Sequence, residues 1–307
     1  MCIGLCTFLP LIYLKSKFEI INVLVSVRVF SNKYVSIYSK KYREQNDKVN
    51  LKKMKNLKQL FINKKSEILS VFVTAGYPKL GSLEKNILEL EAAGTDLIEV
   101  GIPFSDPMAD GKTIQYSSEV ALENGMNLTV LVKQLTDIRK KTSIPLVLMG
   151  YLNPVYQFGV EKLLQFCQDN SIEGMIIPDI SLEEYERSYQ SLFEKYSVSL
   201  VFIITPHTSS ERLKRIDKLS TTFIYLVSST SVTGSASEFS ETHLEGFENI
   251  KSNTLNTPIL VGFGIYNNST FKKASEYFYG AIIGSAFIRH LSKSKYKIKD
   301  FVDEILV

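Results

Sequence analysis

Cysteine, histidine and long apolar runs are all scarce in this chain of 307 residues. The three cysteines, Cys2, Cys6 and Cys167, are too few for a disulfide framework, and no Cys/His spacing indicates a zinc site. An oxidising compartment is therefore not implied. An apolar run opens the chain, but its length of about 13 residues falls short of the roughly 20 needed to span a bilayer. The sequence thus excludes a small disulfide-stabilised domain and gives no membrane span.

Charge is distributed unevenly along the chain. Residues 1–53 hold ten Lys or Arg and three acidic residues, a net charge of +7, whereas the other 254 residues hold 26 basic and 29 acidic residues, a net charge of −3. A mildly acidic main portion argues against a nucleic-acid surface there. The basic segment itself is expected to be a solvated, loosely ordered tail.

Residues 1–53 admit three interpretations. The segment is either an upstream extension outside the working protein, a transit peptide, or an ordered extra helix. The transit peptide is considered because Glu19 is the one acidic residue of 1–43. We expect a poorly ordered or dispensable extension at 1–53 and a catalytic domain at 54–307. The expected location is the cytoplasm, or a plastid or other organelle if the extension is a transit peptide. After Met54, one helical face is expected to combine Leu57, Leu60, Phe61 and Ile62.

Eight short apolar runs, each four to six residues long, follow from residue 70 onward. Runs without polar alternation are typical of strands buried on both faces of a parallel sheet. They are 70–74, 97–101, 145–149, 174–178, 199–204, 223–227, 258–262 and 281–284. Stretches with helical period lie between them; in the first, Leu83, Ile87, Leu88 and Leu90 share a face and Gly94 is a natural end.

Eight strand–helix units in about 240 residues predict an α/β fold, the (β/α)8 TIM barrel, with an N-terminal extension. A doubly wound open sheet is the alternative. That fold usually has a Gly-rich first turn after a strand, whereas the turn TAGYP contains one Gly.

Carboxylates mark the second predicted strand and its loop. Glu99 lies inside the apolar run LIEVG, and Asp106 and Asp110 follow in GIPFSDPMADG. A buried carboxylate is costly unless it is paired or used, and two carboxylates in different environments suit general acid–base catalysis. The alternative is structural, with Glu99 in a salt bridge and the aspartates capping turns, and spacing alone favours it.

Glycine motifs follow the last three predicted strands: SVTGSAS at 231–237, GFGI at 262–265 and GSA at 284–286. Glycine lets backbone N–H groups approach an anion, and a helix N-terminus adds a positive dipole end. Because the loops after strands seven and eight usually bind phosphate in such barrels, the motifs together predict a phosphate site. Neither a catalytic histidine nor a metal or organic cofactor on this chain is indicated.

The segment LIEVGIPFSDPMADGKTIQ closely resembles the tryptophan synthase α-subunit family, the indole-3-glycerol-phosphate lyases. The resemblance covers residues 54 to about 300 in the family's order and leaves 1–53 without a counterpart. The further matching segments are FVTAGYP at 72–78, MGYLNP at 149–154, GMIIPDI at 174–180, FIYLVSSTSVTG at 223–234, VGFGI at 261–265 and GAIIGSAFI at 280–288.

This resemblance implies a retro-aldol cleavage of indole-3-glycerol phosphate to indole and glyceraldehyde 3-phosphate. Glu99 would protonate C3 of the indole ring, and Glu99 or a group near it would take the glycerol hydroxyl proton. Asp110 would handle the proton at the ring nitrogen, and Asp106 would meet the mobile lid residue Thr233. The other residues implied at the substrate are Phe72, Tyr151 and, more loosely, Ile203 around indole, Tyr225 as an ordering group, and Gly234, Gly264, Gly284 and Ser285 at the phosphate.

The resemblance also implies a β-subunit partner in an α2β2 tetramer. Indole would pass to pyridoxal phosphate on that subunit, and this chain would hold no cofactor. The expected docking loops are 102–112 and 150–158, whose apolar residues we expect to be exposed: Ile102, Pro103, Phe104, Pro107, Met108, Leu152, Pro154, Val155, Tyr156 and Phe158. Two alternatives are a chain that mainly binds and activates the β subunit, with weak lyase activity, and a phosphate-binding barrel isomerase.

Three positions depart from the family's usual pattern. Lys112 replaces a Pro after ADG, Tyr77 replaces an Asp in the first loop, and Ser231 replaces a Gly before VTG. Lys112 puts the rigidity of the Asp110 loop in doubt. None of the three removes a carboxylate or a phosphate-site glycine.

Overall fold

The computed structural model describes residues 56–228, 239–293 and 295–307. Strands alternate with helices through these ranges. The strands are β1 (Ile68–Thr74), β2 (Leu97–Gly101), β3 (Leu146–Met149), β4 (Gly174–Ile176), β5 (Ser199–Val201), β6 (Ile203–Ile204), β7 (Ile224–Val227), β8 (Ile259–Gly262) and β9 (Gly280–Ile283).

The helices begin before the first strand and end near the last residue. They are α1 (Leu57–Asn63), α2 (Ser82–Ala93), α3 (Lys112–Glu123), α4 (Leu128–Ile138), α5 (Leu152–Phe158), α6 (Val160–Asp169), α7 (Leu182–Glu184), α8 (Gln190–Lys195), α9 (Ser210–Leu219), α10 (Glu241–Ser252), α11 (Asn268–Tyr277), α12 (Ser285–Leu291) and α13 (Ile298–Leu306). A π-helical turn at Tyr185–Tyr189 joins α7 to α8.

The strands form one parallel sheet that closes into a barrel. Its order is β5-β4-β3-β2-β1-β9-β8-β7-β6, so the two ends of the sheet are consecutive pieces of chain separated by Phe202. The carbonyl of Phe202 also accepts a hydrogen bond from the Tyr225 N–H of β7, at 2.9 Å. The TIM-barrel prediction is confirmed, and the open doubly wound alternative is excluded because an open sheet would end in two unrelated strands.

Each of the eight apolar runs contains a strand, but the fifth is divided in two at Phe202, which the sequence did not indicate. The first and last strands are joined at a close approach, where Ile68 is opposite Gly280. A Cβ atom on Gly280 would lie 2.1 Å from the Ile68 carbonyl oxygen, so a side chain does not fit there.

Helix α1 closes the N-terminal end of the barrel. Leu57 and Phe61 are buried against inward-facing strand residues, and the Phe61 ring stacks on Phe223, just before β7, with centroids 5.4 Å apart. Glu173, just before β4, accepts a hydrogen bond from the Leu57 N–H at 2.6 Å. The expected helix is confirmed, but Ile62 is 61% exposed and does not share its apolar face. The closed end leaves the C-terminal ends of the strands as the place for a site.

Helix α2 shows how the outer layer packs. Leu83, Ile87 and Leu90 are buried as expected, whereas Leu88 is only partly covered. Gly94 ends the helix in a left-handed conformation with φ of 102°, which glycine adopts without a Cβ penalty. No helix in the described ranges is both long and apolar enough to cross a membrane. Residues 1–53 and the predicted site residues Thr233 and Gly234, with Ser231, lie outside those ranges.

Candidate active site

A cavity opens at the C-terminal ends of β1 to β4. Apolar groups form most of its wall, and the carboxylate of Asp110 reaches it from the loop after β2. The lining residues are Phe72, Gly101, Ile102, Phe104, Pro107, Asp110, Ile114, Ser118, Met149, Gly150, Tyr151 and Pro178. Apolar walls with a few polar groups are typical of a site for a small, largely apolar ligand.

Gly101 makes room for the aromatic side chain of Phe72 in this wall, and Gly284 is in contact distance of the same residue. A Cβ on Gly101, at the end of β2, would lie 2.3 Å from the Phe72 ring. A Cβ on Gly284, after β9, would lie 3.5 Å from the Phe72 Cβ. Phe72 is therefore at the cavity as expected, and Gly284 lies beside it. The position of Gly284 brings the start of α12 close to the cavity wall.

Glu99 is completely buried in β2, and its side chain faces the barrel interior on the same side of the strand as Leu97 and Gly101. The Ser70 hydroxyl donates a hydrogen bond to Glu99 Oε1 at 3.1 Å, and Oε2 has no hydrogen-bond partner among the described residues. Burial raises the pKa of Glu99 to about 8, although the Ser70 hydrogen bond lowers it. Within the described ranges no ion pair involves Glu99, so the salt-bridge alternative is not supported there.

Asp110 is held by the next strand's loop. The Tyr151 hydroxyl donates to Asp110 Oδ2 at 2.9 Å and accepts from the Ala109 N–H, also at 2.9 Å. Tyr151 is itself fixed at the start of α5, where the Leu152 N–H donates to Asp179 at 2.8 Å. Burial raises the pKa of Asp110 to about 6, and the Tyr151 hydrogen bond opposes that rise. At neutral pH, Asp110 is therefore mostly ionised while Glu99 is mostly protonated.

Tyr225 interacts electrostatically with both carboxyl groups, those of Glu99 and Asp110. It is buried in β7, and its pKa is raised first by that burial and then by the charges of Glu99 and Asp110. A Cβ on Gly262 would lie 2.1 Å from the Tyr225 hydroxyl, so glycine at the end of β8 provides the space for it. Gly262 in the GFGI motif thus serves Tyr225, a role that the sequence did not reveal.

The described part of the predicted phosphate site consists of Gly264, Gly284 and Ser285. Gly264 follows β8 with φ of 73°, in a turn where the Ser228 hydroxyl donates to the Phe263 carbonyl at 2.7 Å. Gly284 precedes Ser285, the first residue of α12. Both loops lie at the C-terminal ends of neighbouring strands, but Thr233 and Gly234 lie outside the described ranges.

Asp110 lines the cavity, whereas Glu99, buried in β2 opposite Phe72, and Asp106 are not among the lining residues. Asp106 is exposed on the loop after β2, where its Oδ2 accepts a hydrogen bond from the Ser105 hydroxyl at 2.5 Å. Lys112 is also exposed, at the first position of α3, and is not among the cavity's lining residues. Tyr77 is buried, with its ring 6.4 Å from that of Tyr116. Ile203, loosely expected at the indole pocket, is partly buried and is not among the cavity's lining residues.

The expected apolar docking loops are only partly exposed. Ile102, Pro103 and Val155 are buried, because 152–158 forms helix α5 and the start of the first loop packs inward. Met108 is 90% exposed and Tyr156 is 65% exposed. Of the ten apolar residues expected to be exposed, three are therefore buried and five are only partly exposed, which leaves Met108 and Tyr156 as the two that are exposed.

Ser70 is the site residue that sequence reasoning missed. It lies two residues before Phe72 on β1 and faces the same inner side. The sequence feature that could have identified Ser70 is a polar residue at an inward-facing position of the otherwise apolar strand β1. The neighbouring strand β2 also carries an inward-facing polar residue, Glu99. In the described part of the chain, no group of three or more His, Cys, Asp or Glu side chains is arranged to hold a metal ion.

Comparisons with known proteins agree with this architecture. The family model of the tryptophan synthase alpha chain matches residues 57–307. The tryptophan synthase alpha chain of Flavobacterium johnsoniae is 52% identical over 240 residues, which cover 78% of this chain and 95% of that protein. The one from Christiangramia forsetii is 51% identical over 228 residues, which cover 74% and 89%. The solved tryptophan synthase A-subunit of Pyrococcus furiosus is similar with a TM-score of 0.72 at 32% identity, covering 79% of this chain and 99% of that one.

Proposed function

Because the chain belongs to the tryptophan synthase alpha chain family, we propose that it cleaves indole-3-glycerol phosphate into indole and glyceraldehyde 3-phosphate. Lyase activity is the activity of this family. The observation that supports its location is a pair of carboxyl groups near one apolar cavity, Glu99 with a pKa of about 8 and Asp110 with a pKa of about 6. One group holds a proton at neutral pH and the other does not, as a reaction with both an acid and an anionic partner requires.

The proton transfers can be assigned to these two groups. Glu99 donates its proton to C3 of the indole ring, and the Asp110 carboxylate accepts a hydrogen bond from the ring N–H, where positive charge develops. The Glu99 carboxylate then takes the proton of the glycerol hydroxyl. The bond between C3 and the glycerol carbon breaks, its electron pair returns to the ring, and an aldehyde is left. Glu99 ends the cycle protonated.

A direct test is indole release by the isolated chain. Glu99→Gln keeps the shape of the side chain but cannot transfer a proton, so the rate should fall by about 10²–10⁴-fold. Glu119→Gln, on the exposed side of α3, is the matched control and should retain full activity. Retention of more than about a tenth of the wild-type rate by Glu99→Gln, well above the loss typical of acid–base catalysis, would contradict the assignment. The same assay separates a lyase from a chain that only activates a partner.

We propose that the phosphate group of the substrate binds at Thr233, Gly234, Gly264, Gly284 and Ser285. The support is the position of Gly284 beside Phe72, immediately before the first turn of α12, because the first N–H groups of a helix have no partner within it. Gly284→Val should weaken binding of glycerol phosphate in calorimetry. Gly81→Val is the control, because a Cβ at Gly81 meets no atom within 4 Å. Equal binding of glycerol and glycerol phosphate by the wild type would contradict a phosphate site.

We further propose that the chain pairs with the tryptophan synthase β subunit, in an α2β2 tetramer, and passes indole to pyridoxal phosphate held by that subunit. The support is family membership together with Met108 and Tyr156, which are exposed on the two loops that shape the cavity. Adding the cognate β subunit should raise indole release at least tenfold, about 1.4 kcal/mol of transition-state stabilisation. Pyridoxal phosphate alone should leave the rate of the isolated chain unchanged.

The docking face can be tested with a matched pair of variants. Met108→Asp places a charge on the proposed face and should weaken the complex in sedimentation. Ile62→Asp places the same charge on an exposed residue at the opposite end of the barrel and should leave the complex intact. Equal weakening by both variants would contradict the proposed face.

We propose that residues 54–307 are the working unit and act in the cytoplasm. The family match begins at residue 57, and helix α1 and the nine strands found among the described residues lie within this range. A chain that starts at Met54 should release indole at the rate of the full chain. Loss of activity on that truncation would show that the extension contributes to the site, and a processed N-terminus in an organelle fraction would contradict the cytoplasmic location.

A further inference from the structure

Ser70 and Glu99 lie on neighbouring strands, with both side chains inside the barrel. In the register of β1 and β2, Phe72 is opposite Glu99 and Ser70 is opposite Leu97, so Ser70 is the diagonal neighbour of Glu99 on the inner face. Both residues are 0% exposed. The Ser70 hydroxyl donates to Glu99 Oε1 at 3.1 Å, and water from the bulk cannot substitute for that donor because both groups are enclosed.

The two oxygens of Glu99 are therefore not equivalent. Oε1 accepts the Ser70 hydrogen bond, whereas Oε2 has no partner among the described residues. An oxygen that accepts a hydrogen bond is a poor place for the acid's own proton, because donor and proton would oppose each other. When Glu99 is protonated, the proton is thus favoured on Oε2, the oxygen without a hydrogen-bond partner among the described residues.

The other titratable groups near Glu99 do not supply this distinction. Tyr225 on β7 interacts electrostatically with both Glu99 and Asp110, but in the described ranges neither Tyr225 nor Asp110 shares a hydrogen bond with the Glu99 carboxyl oxygens. The pKa of Glu99 is set by burial, which raises it, and by the Ser70 hydrogen bond, which lowers it. A change at Ser70 therefore acts on Glu99 in two ways, on the orientation of the carboxyl group and on its proton affinity.

We propose that Ser70 is a positioning residue that fixes the Glu99 carboxyl group and directs its transferable proton to Oε2. This inference rests on the proposed lyase function, in which Glu99 is the acid. Ser70 itself does not touch the reacting atoms. Its hydroxyl prevents the buried carboxyl group from rotating and exchanging its two oxygens, so that each turnover starts with the proton on the same side.

The sharpest test compares Ser70→Thr with Ser70→Val. These two side chains have nearly the same shape, so packing effects cancel and the hydroxyl is the difference between them. Val should lower kcat by about tenfold relative to Thr, in line with the cost of a misplaced catalytic group, and KM should stay within about twofold. Ser70→Ala, which is smaller than the native residue, serves as a second hydroxyl-free variant if both larger side chains impair folding.

The pH dependence of kcat/KM, which reports the pKa values of the free enzyme, gives a readout that a purely structural role would not move. The value of kcat/KM should fall at low pH as Asp110 gains a proton and at high pH as Glu99 loses one. Loss of the Ser70 hydroxyl should shift only the high-pH limb, upward by about one pH unit, the size expected for loss of a hydrogen bond to a charged group. The low-pH limb is the internal control because Asp110 is held by Tyr151.

Carbon-13 NMR of labelled glutamate side chains provides a measurement without turnover. The signal of Glu99, assigned with Glu99→Gln, should titrate at higher pH in the Val or Ala variant than in Ser70→Thr. Equal titration and equal rate limbs in the hydroxyl and hydroxyl-free variants would overturn the role of Ser70. If Glu99→Gln is inactive in that case, the proposed function stands and only this inference fails. If Glu99→Gln is fully active, Glu99 is not the acid and both proposals fail.

Discussion

At the N-terminal end of the strands, Asp217 accepts three hydrogen bonds from Asn256 and Thr257, whereas toward the C-terminal end Glu99 accepts one, from Ser70. Burial opposes ionisation of both groups. At Asp217 the hydrogen bonds outweigh it and the pKa is lowered, while at Glu99 burial prevails and the pKa rises to about 8. A carboxylate that accepts several hydrogen bonds stays ionised and holds neighbouring elements together. A buried carboxyl group with few hydrogen bonds stays protonated and can act as an acid.

The largest expected effect is a loss of stability when a residue at the closed, N-terminal end of the barrel is replaced. Phe61→Ala removes the ring that stacks on Phe223 at the closed end, which should lower the free energy of unfolding by about 3–5 kcal/mol. The rate of indole release by the folded fraction should be unchanged, because Phe61 is at the opposite end from the cavity. Urea unfolding and the lyase assay check both statements. Ile62→Ala, at an exposed neighbour, should change stability by less than about 0.5 kcal/mol.

Asp110→Asn should have the opposite profile, with activity lost and stability kept. The amide cannot supply the negative charge next to the ring N–H, and we expect indole release to fall by about 10²-fold. Tyr151 can still donate to the amide oxygen, so the loop should remain in place. Steady-state kinetics and urea unfolding of the same preparation test this. A loss of stability comparable to that of Phe61→Ala would show that Asp110 holds the fold together.

Removing charge at the two ends should change stability in opposite directions at pH 8. Folding raises the pKa of Glu99 from about 4.5 to about 8, so the folded state loses stability as the pH rises through that interval. Glu99→Gln removes this loss and should raise the free energy of unfolding by roughly 1–2 kcal/mol. The pKa of Asp217 is lowered on folding, so it adds stability above its unfolded pKa, and that contribution is lost as pH falls through the folded pKa. Asp217→Asn should therefore destabilise, by about 1–2 kcal/mol. Changes of the same sign would contradict the comparison.

The smallest effect is expected at Asp106, which precedes the lining residue Pro107 but is itself exposed and is not among the lining residues. Asp106→Asn should reduce indole release by no more than about threefold, because the side chain is exposed and hydrogen-bonded to Ser105. Ser105→Ala tests whether that hydrogen bond has any effect of its own. Damage greater than that of Asp110→Asn would reverse the assigned roles, and would place the acidic partner of the ring N–H at Asp106.

Most of the architecture could be predicted from local sequence. The eight apolar runs contain the strands, and Glu99 and Asp110 were found as carboxylates at the end of the second run. Three features could not be found in this way. The break at Phe202 and the burial of Val155 depend on how distant segments pack, and the pairing of Ser70 with Glu99 depends on the register of two strands. The role of a polar residue in one strand depends on which residue of the neighbouring strand lies beside it.

Pairing of the first strand with the last has a consequence for synthesis of the chain. Ile68 is opposite Gly280, so one edge of β1 stays unpaired until β9, more than 200 residues later in the chain, has left the ribosome. During that interval β1 presents free backbone groups and side chains that are all buried in the finished protein, the conditions under which nascent chains associate with one another. Gly280, with no side chain to obstruct the approach, lets the late strand dock on the early one. Chaperone demand should therefore persist until the last strand has emerged, and should not end once the central helices have been made.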